Sequence, residues 1–184
     1  MAFEVARGLE ARLDIFLVRK LGLPGHRELA MGAIASGGVR VLNDDVVSWY
    51  RVPAATIDAA AREEQTELDR RERAYRDGSP AAALGGRVVV LVDDGLATGS
   101  TMKAAVEAVR AHAPARIVVA VPVGASETCR ELAKVADEAV CARAPVHFAA
   151  VGEWYLDFSQ TSDDEVRDLL HEAARSVPPG PSGM

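Results

Sequence analysis

The stretch Val88-Val-Val-Leu-Val-Asp-Asp-Gly-Leu-Ala-Thr-Gly-Ser-Thr101 carries the reading of the fold. Five apolar residues in a row predict a strand buried on both faces; a pair of carboxylates follows, and a glycine-rich turn opens a helix near Ser100. Such a strand aims its C-terminal end at the crevice where open α/β sheets bind ligands. Gly95 and Gly99 let the backbone curl with its N–H groups turned inward. The first turn of the helix adds unpaired N–H donors and the positive end of a dipole, which suits a phosphate dianion. Thr98, Ser100 and Thr101 bring hydroxyls to the same place. At the rim, Asp93 and Asp94 can accept hydrogen bonds from sugar hydroxyls or attract a Mg²⁺-bound ligand.

Outward from this stretch, the second half of the chain alternates strand and helix. Helix is expected over Ser100 to His112, strand over Ala115 to Val123, helix over Ser126 to Val135 and a short strand over Glu138 to Cys141. Apolar strands separated by helices imply a doubly wound parallel sheet. An aromatic segment, Phe148 to Phe158, comes next, and then a helix whose start is fixed by the Ser162–Glu165 capping box. Upstream, Ala2 to Ala11 reads as an amphipathic helix, Leu13 to Val18 as a buried strand, and Arg19 to His26 as a loop. Met31 to Ala35 and Val39 to Leu42 form a hairpin through Ser36-Gly-Gly38, and Asn43-Asp-Asp45 turns into a further strand at Val46-Val47. Thr56 to Arg76 is a charged helix with a narrow apolar stripe at Ile57, Ala61, Leu68 and Tyr75. Residues 1 to 176 are read as one domain and 177 to 184, rich in proline and glycine, as a disordered tail.

With 184 residues, 49% of them apolar, the chain is long enough to bury a core. Its net charge of −6 argues against nucleic acid or an anionic membrane as the main partner. No run approaches the roughly 20 apolar residues of a membrane span, and no secretory signal is visible, so a cytoplasmic protein is expected. Cys129 and Cys141 form no CxxC pattern and read as unpaired, buried and reduced. The four histidines lack metal-ligand spacing.

A glycine-rich turn after a strand also occurs without any ligand. A P-loop is excluded by the missing Gly-Lys-Ser/Thr ending, and a dinucleotide fingerprint by the lack of G-x-G-x-x-G. Apolar strand, acidic pair and Ala97-Thr-Gly-Ser-Thr101 together closely resemble the phosphoribosyl pyrophosphate (PRPP) motif of type I phosphoribosyltransferases. The resemblance implies an α/β fold of that type, with an inserted β-hairpin and charged helix and a C-terminal hood. It also implies that Asp93 and Asp94 hold the ribose hydroxyls and that Leu96, Ala97, Thr98, Gly99, Ser100 and Thr101 line the 5-phosphate. The Arg19-Lys20 pair is similar to the basic pair of orotate-type members, whose charge meets the pyrophosphate; with Asp94 these are the candidate catalytic residues. Val151-Gly-Glu-Trp-Tyr-Leu-Asp-Phe158 weakly resembles the C-terminal part of hypoxanthine-guanine enzymes. By that likeness Trp154, Tyr155 and Phe158 offer a platform to a base, and Asp157 stands near a metal-bound pyrophosphate. The same residues also read as ordinary core aromatics.

One part of the pattern is not matched. Family members begin their core with a strand and an Arg-Gly-containing pyrophosphate loop, whereas Ala2-Phe-Glu-Val-Ala-Arg-Gly-Leu9 looks like the helix that follows them; a truncated start or a degenerate binder would each account for this. The resemblance implies transfer of a phosphoribosyl group from PRPP, with Mg²⁺, to a nucleobase-like acceptor, with pyrophosphate released. A non-catalytic PRPP or nucleotide sensor, and a hydrolase using the same pocket, are the alternatives. A homodimer is compatible with the sequence.

Overall fold

A computed structural model describes residues 1–176; the proposed tail at 177–184 lies outside the described residues. Two three-stranded sheets organise the chain. The first is antiparallel and is formed by β1 (Val18–Leu23), β2 (His26–Ala35) and β3 (Val39–Leu42) in sequence order. The second is parallel and is formed by β4 (Val88–Val92), β5 (Arg116–Val123) and β6 (Glu138–Arg143), again in sequence order. Helices α4 (Ser100–Arg110) and α5 (Ser126–Val135) are the crossovers of this βαβαβ unit, as the alternation predicts.

Strand β5 shows how the parallel sheet is built. Ile117, Val119, Val121 and Val123 are buried, while Val118, Ala120 and Pro122 between them are only partly covered. Ile117, Val119 and Val121 join Leu91, Met102, Val106, Val109 and Leu132 in one core. Continuous apolar strands predict cover on both faces; here one face is dry, and on the sheet as a whole Val88 and Val140 stay open to solvent. A hydrophobic run shows that a strand can be buried twice over, but its neighbours decide whether it is.

The antiparallel sheet has its own core, in which Leu21, Leu23, Met31 and Ile34 meet Ile57 and Leu68 of α3 (Ala54–Arg76). Thus the stripe read on the charged helix is its buried side, while Tyr75 at its end donates a hydrogen bond to Asp163 of α6 (Asp163–Ser176), 2.7 Å away. Ser162 caps α6 by accepting from the Glu165 N–H at 3.2 Å. The Ser36-Gly-Gly38 turn forms as expected, with Gly37 and Gly38 both at positive φ.

Five expectations are corrected. No strand forms over residues 13–17, and Arg19 and Lys20 lie within β1, not in a loop. Residues 13–17 have no ladder partner among the described residues; they are held mainly by side chains, with one backbone bond from Ser36. Asp14 accepts from the Ile15 and Ala82 N–H groups and pairs with Arg76, while Leu17 and Ser36 exchange two hydrogen bonds of 2.9 Å. Val46 and Val47 lie in a short helix, α2 (Asp44–Trp49), because the Asn43 side chain caps it by accepting from the Val46 N–H. Cys129 and Cys141 form a disulfide: α5 packs on β6 and brings the two Cα atoms within 6.5 Å. The N-terminal helix, α1 (Ala2–Gly8), is shorter than predicted.

Candidate functional site

Beyond β4 the chain is pinned before it curls. The Leu96 N–H donates to the Val123 carbonyl at 3.0 Å, and the Leu96 carbonyl accepts from Ala125 at 2.9 Å, forming a parallel bridge across the ends of β4 and β5. The Leu96 side chain is buried, so this residue anchors the loop from below. Ala97, Thr98, Ser100 and Thr101 are exposed above it. Among the described residues, no acceptor takes the N–H groups of Ala97, Thr98, Gly99, Thr101 or Met102. These donors gather at the start of an 11-residue helix, the arrangement that favours an anion.

Gly99 makes the curl possible. It sits at φ +68° as the residue before α4, and a Cβ there would lie 2.5 Å from the Thr128 methyl group. Thr128, on the facing turn of α5, donates its hydroxyl to the Ala97 carbonyl at 2.7 Å and turns that peptide's oxygen away from the open side. No motif marks Thr128, since its partner lies 31 residues away. Within the loop the Thr98 and Ser100 hydroxyls are 3.2 Å apart.

Asp93 and Asp94 occupy the rim. Burial pushes the Asp93 carboxyl above the ordinary carboxylate range, opposed by the Asp94 N–H it accepts at 2.9 Å, with the Asp94 charge adding to the rise. Asp94 is exposed. Two adjacent hard oxygen donors fit Mg²⁺ carried on a phosphorylated ligand; among the described residues no group of three His, Cys, Asp or Glu side chains gathers to hold a metal ion.

The aromatic segment closes over this rim. A 3-10 turn at Val151–Trp154 places the Val151 side chain 2.7 Å from where a Cβ on Gly95 would be, so only glycine fits there. The Tyr155 hydroxyl donates to the Asp94 main-chain carbonyl at 2.6 Å. Burial and the neighbouring Asp94 and Asp93 charges raise the Tyr155 pKa, which keeps that proton in place. Phe158 stacks behind Tyr155, with ring centroids 5.1 Å apart. Trp154, Tyr155 and Leu156 line a cleft of about 540 Å³ at the C-terminal ends of β5 and β6, where Pro122, Val123, Ala142, Arg143 and Glu153 complete the wall. Arg143 and Glu153 carry no sequence signal of their own. Phe158 is not part of that wall. Asp157 is exposed and accepts from the Ser159 N–H at 2.8 Å, which holds its carboxyl below the usual range.

Arg19 and Lys20 are not joined to the loop by any hydrogen bond or ion pair among the described residues. Arg19 pairs with Glu64 of α3 at 2.6 Å, while Lys20 is exposed on β1.

A βαβ unit whose first strand ends in paired carboxylates, followed by a cluster of free N–H donors at a helix start, has the geometry of an anion site. The chain belongs to the phosphoribosyl transferase domain family, whose model matches residues 25–156. It is 50% identical over 175 residues to two curated Mycobacterium tuberculosis proteins, named "Putative phosphoribosyl transferase Rv0571c" and "Putative phosphoribosyl transferase MT0597". The match covers 95% of this chain and 40% of each relative, so the chain spans well under half their length. It is also similar to the crystal structure of TT1426 from Thermus thermophilus. That likeness has a TM-score of 0.83 at 43% identity and covers 92% of this chain and 80% of that one. No helix among the described residues is long and apolar enough to cross a membrane.

Proposed function

We propose that this domain binds PRPP at Asp93–Thr101 and transfers its phosphoribosyl group to a nucleobase-like nitrogen acceptor seated against Trp154. The observation that carries this reading is the set of unpaired N–H donors of Ala97, Thr98, Gly99, Thr101 and Met102 just after the Asp93–Asp94 pair. The donors and the Thr98, Ser100 and Thr101 hydroxyls take the 5-phosphate. The carboxylates accept from the ribose 2- and 3-hydroxyls and fix the sugar, so that C1 faces the cleft. An acceptor ring nitrogen then forms a bond to C1 as the C1–oxygen bond to pyrophosphate breaks. Pyrophosphate leaves with the electron pair, and the nitrogen's proton passes to solvent. Mg²⁺ enters bound to the pyrophosphate of the substrate, where it neutralises charge; the chain's part is to position the sugar and exclude water.

A second reading is favoured by Arg19. Its guanidinium is tied to Glu64 and is not free to meet a pyrophosphate, which suits a binder that does not turn over. One assay separates the two. Under the transferase reading, incubation with PRPP, Mg²⁺ and a panel of nucleobases releases pyrophosphate only when an acceptor is present. PRPP binding without release under every condition supports the sensor, release without any base supports hydrolysis, and failure to bind PRPP overturns all three.

A further inference from the structure

Trp154 and Tyr155 are both aromatic residues on the wall of the same cleft, but their side chains are held differently. Trp154 is 41% exposed. Tyr155 is engaged at both ends: its ring rests on Phe158 and its hydroxyl is bonded to the Asp94 carbonyl, 61 residues away in sequence. The peptide it grips is the one that carries the rim carboxylate into Gly95, against which Val151 is packed without room for a Cβ. One residue further on, Leu96 is bridged to Gly124 at the end of β5, next to the cleft residues Pro122 and Val123. The loop is thus fixed to the β5 side of the wall by main-chain bonds and joined to its aromatic side by the Tyr155–Asp94 side-chain hydrogen bond, with apolar contact at Val151.

We propose that Tyr155 is a positioning residue that couples the ribose site to the acceptor cleft, and not a stacking platform for the base. The inference rests on the ribose-phosphate reading of the loop. When sugar hydroxyls draw on the Asp93 and Asp94 carboxylates, the Asp94–Gly95 peptide turns with them. The tyrosine hydroxyl follows its acceptor, and the adjacent Trp154 is reset. Coupling of this kind favours acceptor binding once the sugar is seated, and by linkage the reverse. A phenylalanine at 155 would keep the ring contact with Phe158 and lose the connection.

Trp49 and Trp154 are the chain's two tryptophans, and Trp49 is 81% exposed on α2, away from the loop. A Trp49→Phe background thus leaves Trp154 as a fluorescent reporter of the cleft. Ribose 5-phosphate is titrated into it while calorimetry measures binding independently. The expected result is a saturable change in Trp154 emission that is lost in Tyr155→Phe even at saturating ligand. Affinity in that variant falls only about five-fold, the worth of one neutral hydrogen bond. Phe158→Leu, which removes the ring but spares the hydroxyl, is expected to keep the response. A full response in Tyr155→Phe overturns the proposal, as does its loss in Phe158→Leu or a silent Trp154 despite a measured heat of binding. Absence of calorimetric binding in the Trp49→Phe background overturns the ribose-phosphate reading as well.

Discussion

Asp93 sits where its charge is disfavoured. Burial favours its neutral form, so its folded-state pKa lies above the unfolded value. A carboxylate raised in this way contributes stability that is fully present below the unfolded pKa and is lost as pH rises through the folded one. The ligand-free Asp93→Asn variant is therefore expected to melt no lower than the parent at neutral pH. A sugar hydroxyl, by contrast, donates more strongly to the ionised form. Asparagine here is expected to weaken ribose 5-phosphate binding roughly 10- to 100-fold, as for lost charge-assisted hydrogen bonds. In the parent, binding releases a proton, so affinity rises with pH just above the ordinary carboxylate range. The parent-minus-Asn difference, titrated by calorimetry, removes the contribution of the phosphate's own ionisation. Gly99→Ala tests the curl: the left-handed backbone costs about 1–2 kcal/mol for a residue with a Cβ, before the contact with Thr128 is counted. Thermal unfolding and phosphate affinity should both fall.

At the scale of elements, the Asp93–Thr101 loop rests on α5, and α5 is fastened to β6. Reducing Cys129–Cys141 opens a 12-residue separation, and loops of this size are worth about 3 kcal/mol in the chain-entropy account. Reduction should lower the melting temperature and, because Thr128 adjoins Cys129, also weaken ribose 5-phosphate binding. Equal affinity in oxidised and reduced protein would show that the loop does not depend on the clasp. What was legible in the sequence divides along the same line. The run from Val88 to Thr101 could be read in place because its strand, carboxylates and glycine turn are all local. Residues 13–17 do not form the strand their apolar run suggests because a strand needs a ladder, and the main chain of Leu17 is held by Ser36, through the serine hydroxyl and N–H. Val46–Val47 was misread because valines suggest a strand, whereas the Asn43 cap starts a helix. The disulfide and the Thr128 prop are products of packing between α5 and its neighbours, which no spacing announces.

Across the whole molecule, two apolar clusters divide the labour. One underlies the parallel sheet and backs the loop, with Leu132 lying 3.5 Å from the Cβ position of Gly99; the other joins the antiparallel sheet to α3 around Leu68. Both leucines are almost fully buried, so Leu132→Ala and Leu68→Ala should each cost about 2–5 kcal/mol. Denaturant melts should show comparable losses. Only Leu132→Ala should also weaken ribose 5-phosphate binding, because only that cluster supports Gly99; a matching loss in Leu68→Ala would mean that the two cores act on the site together. Holding the phosphorylated sugar at Asp93–Thr101 is the claim on which the rest stands, and a crystal structure of the protein with ribose 5-phosphate tests it most directly. The phosphate is expected within hydrogen-bond distance of the N–H groups from Ala97 to Thr101, with the ribose hydroxyls on Asp93 and Asp94. A phosphate bound elsewhere, or an empty loop at saturating ligand, would contradict the account.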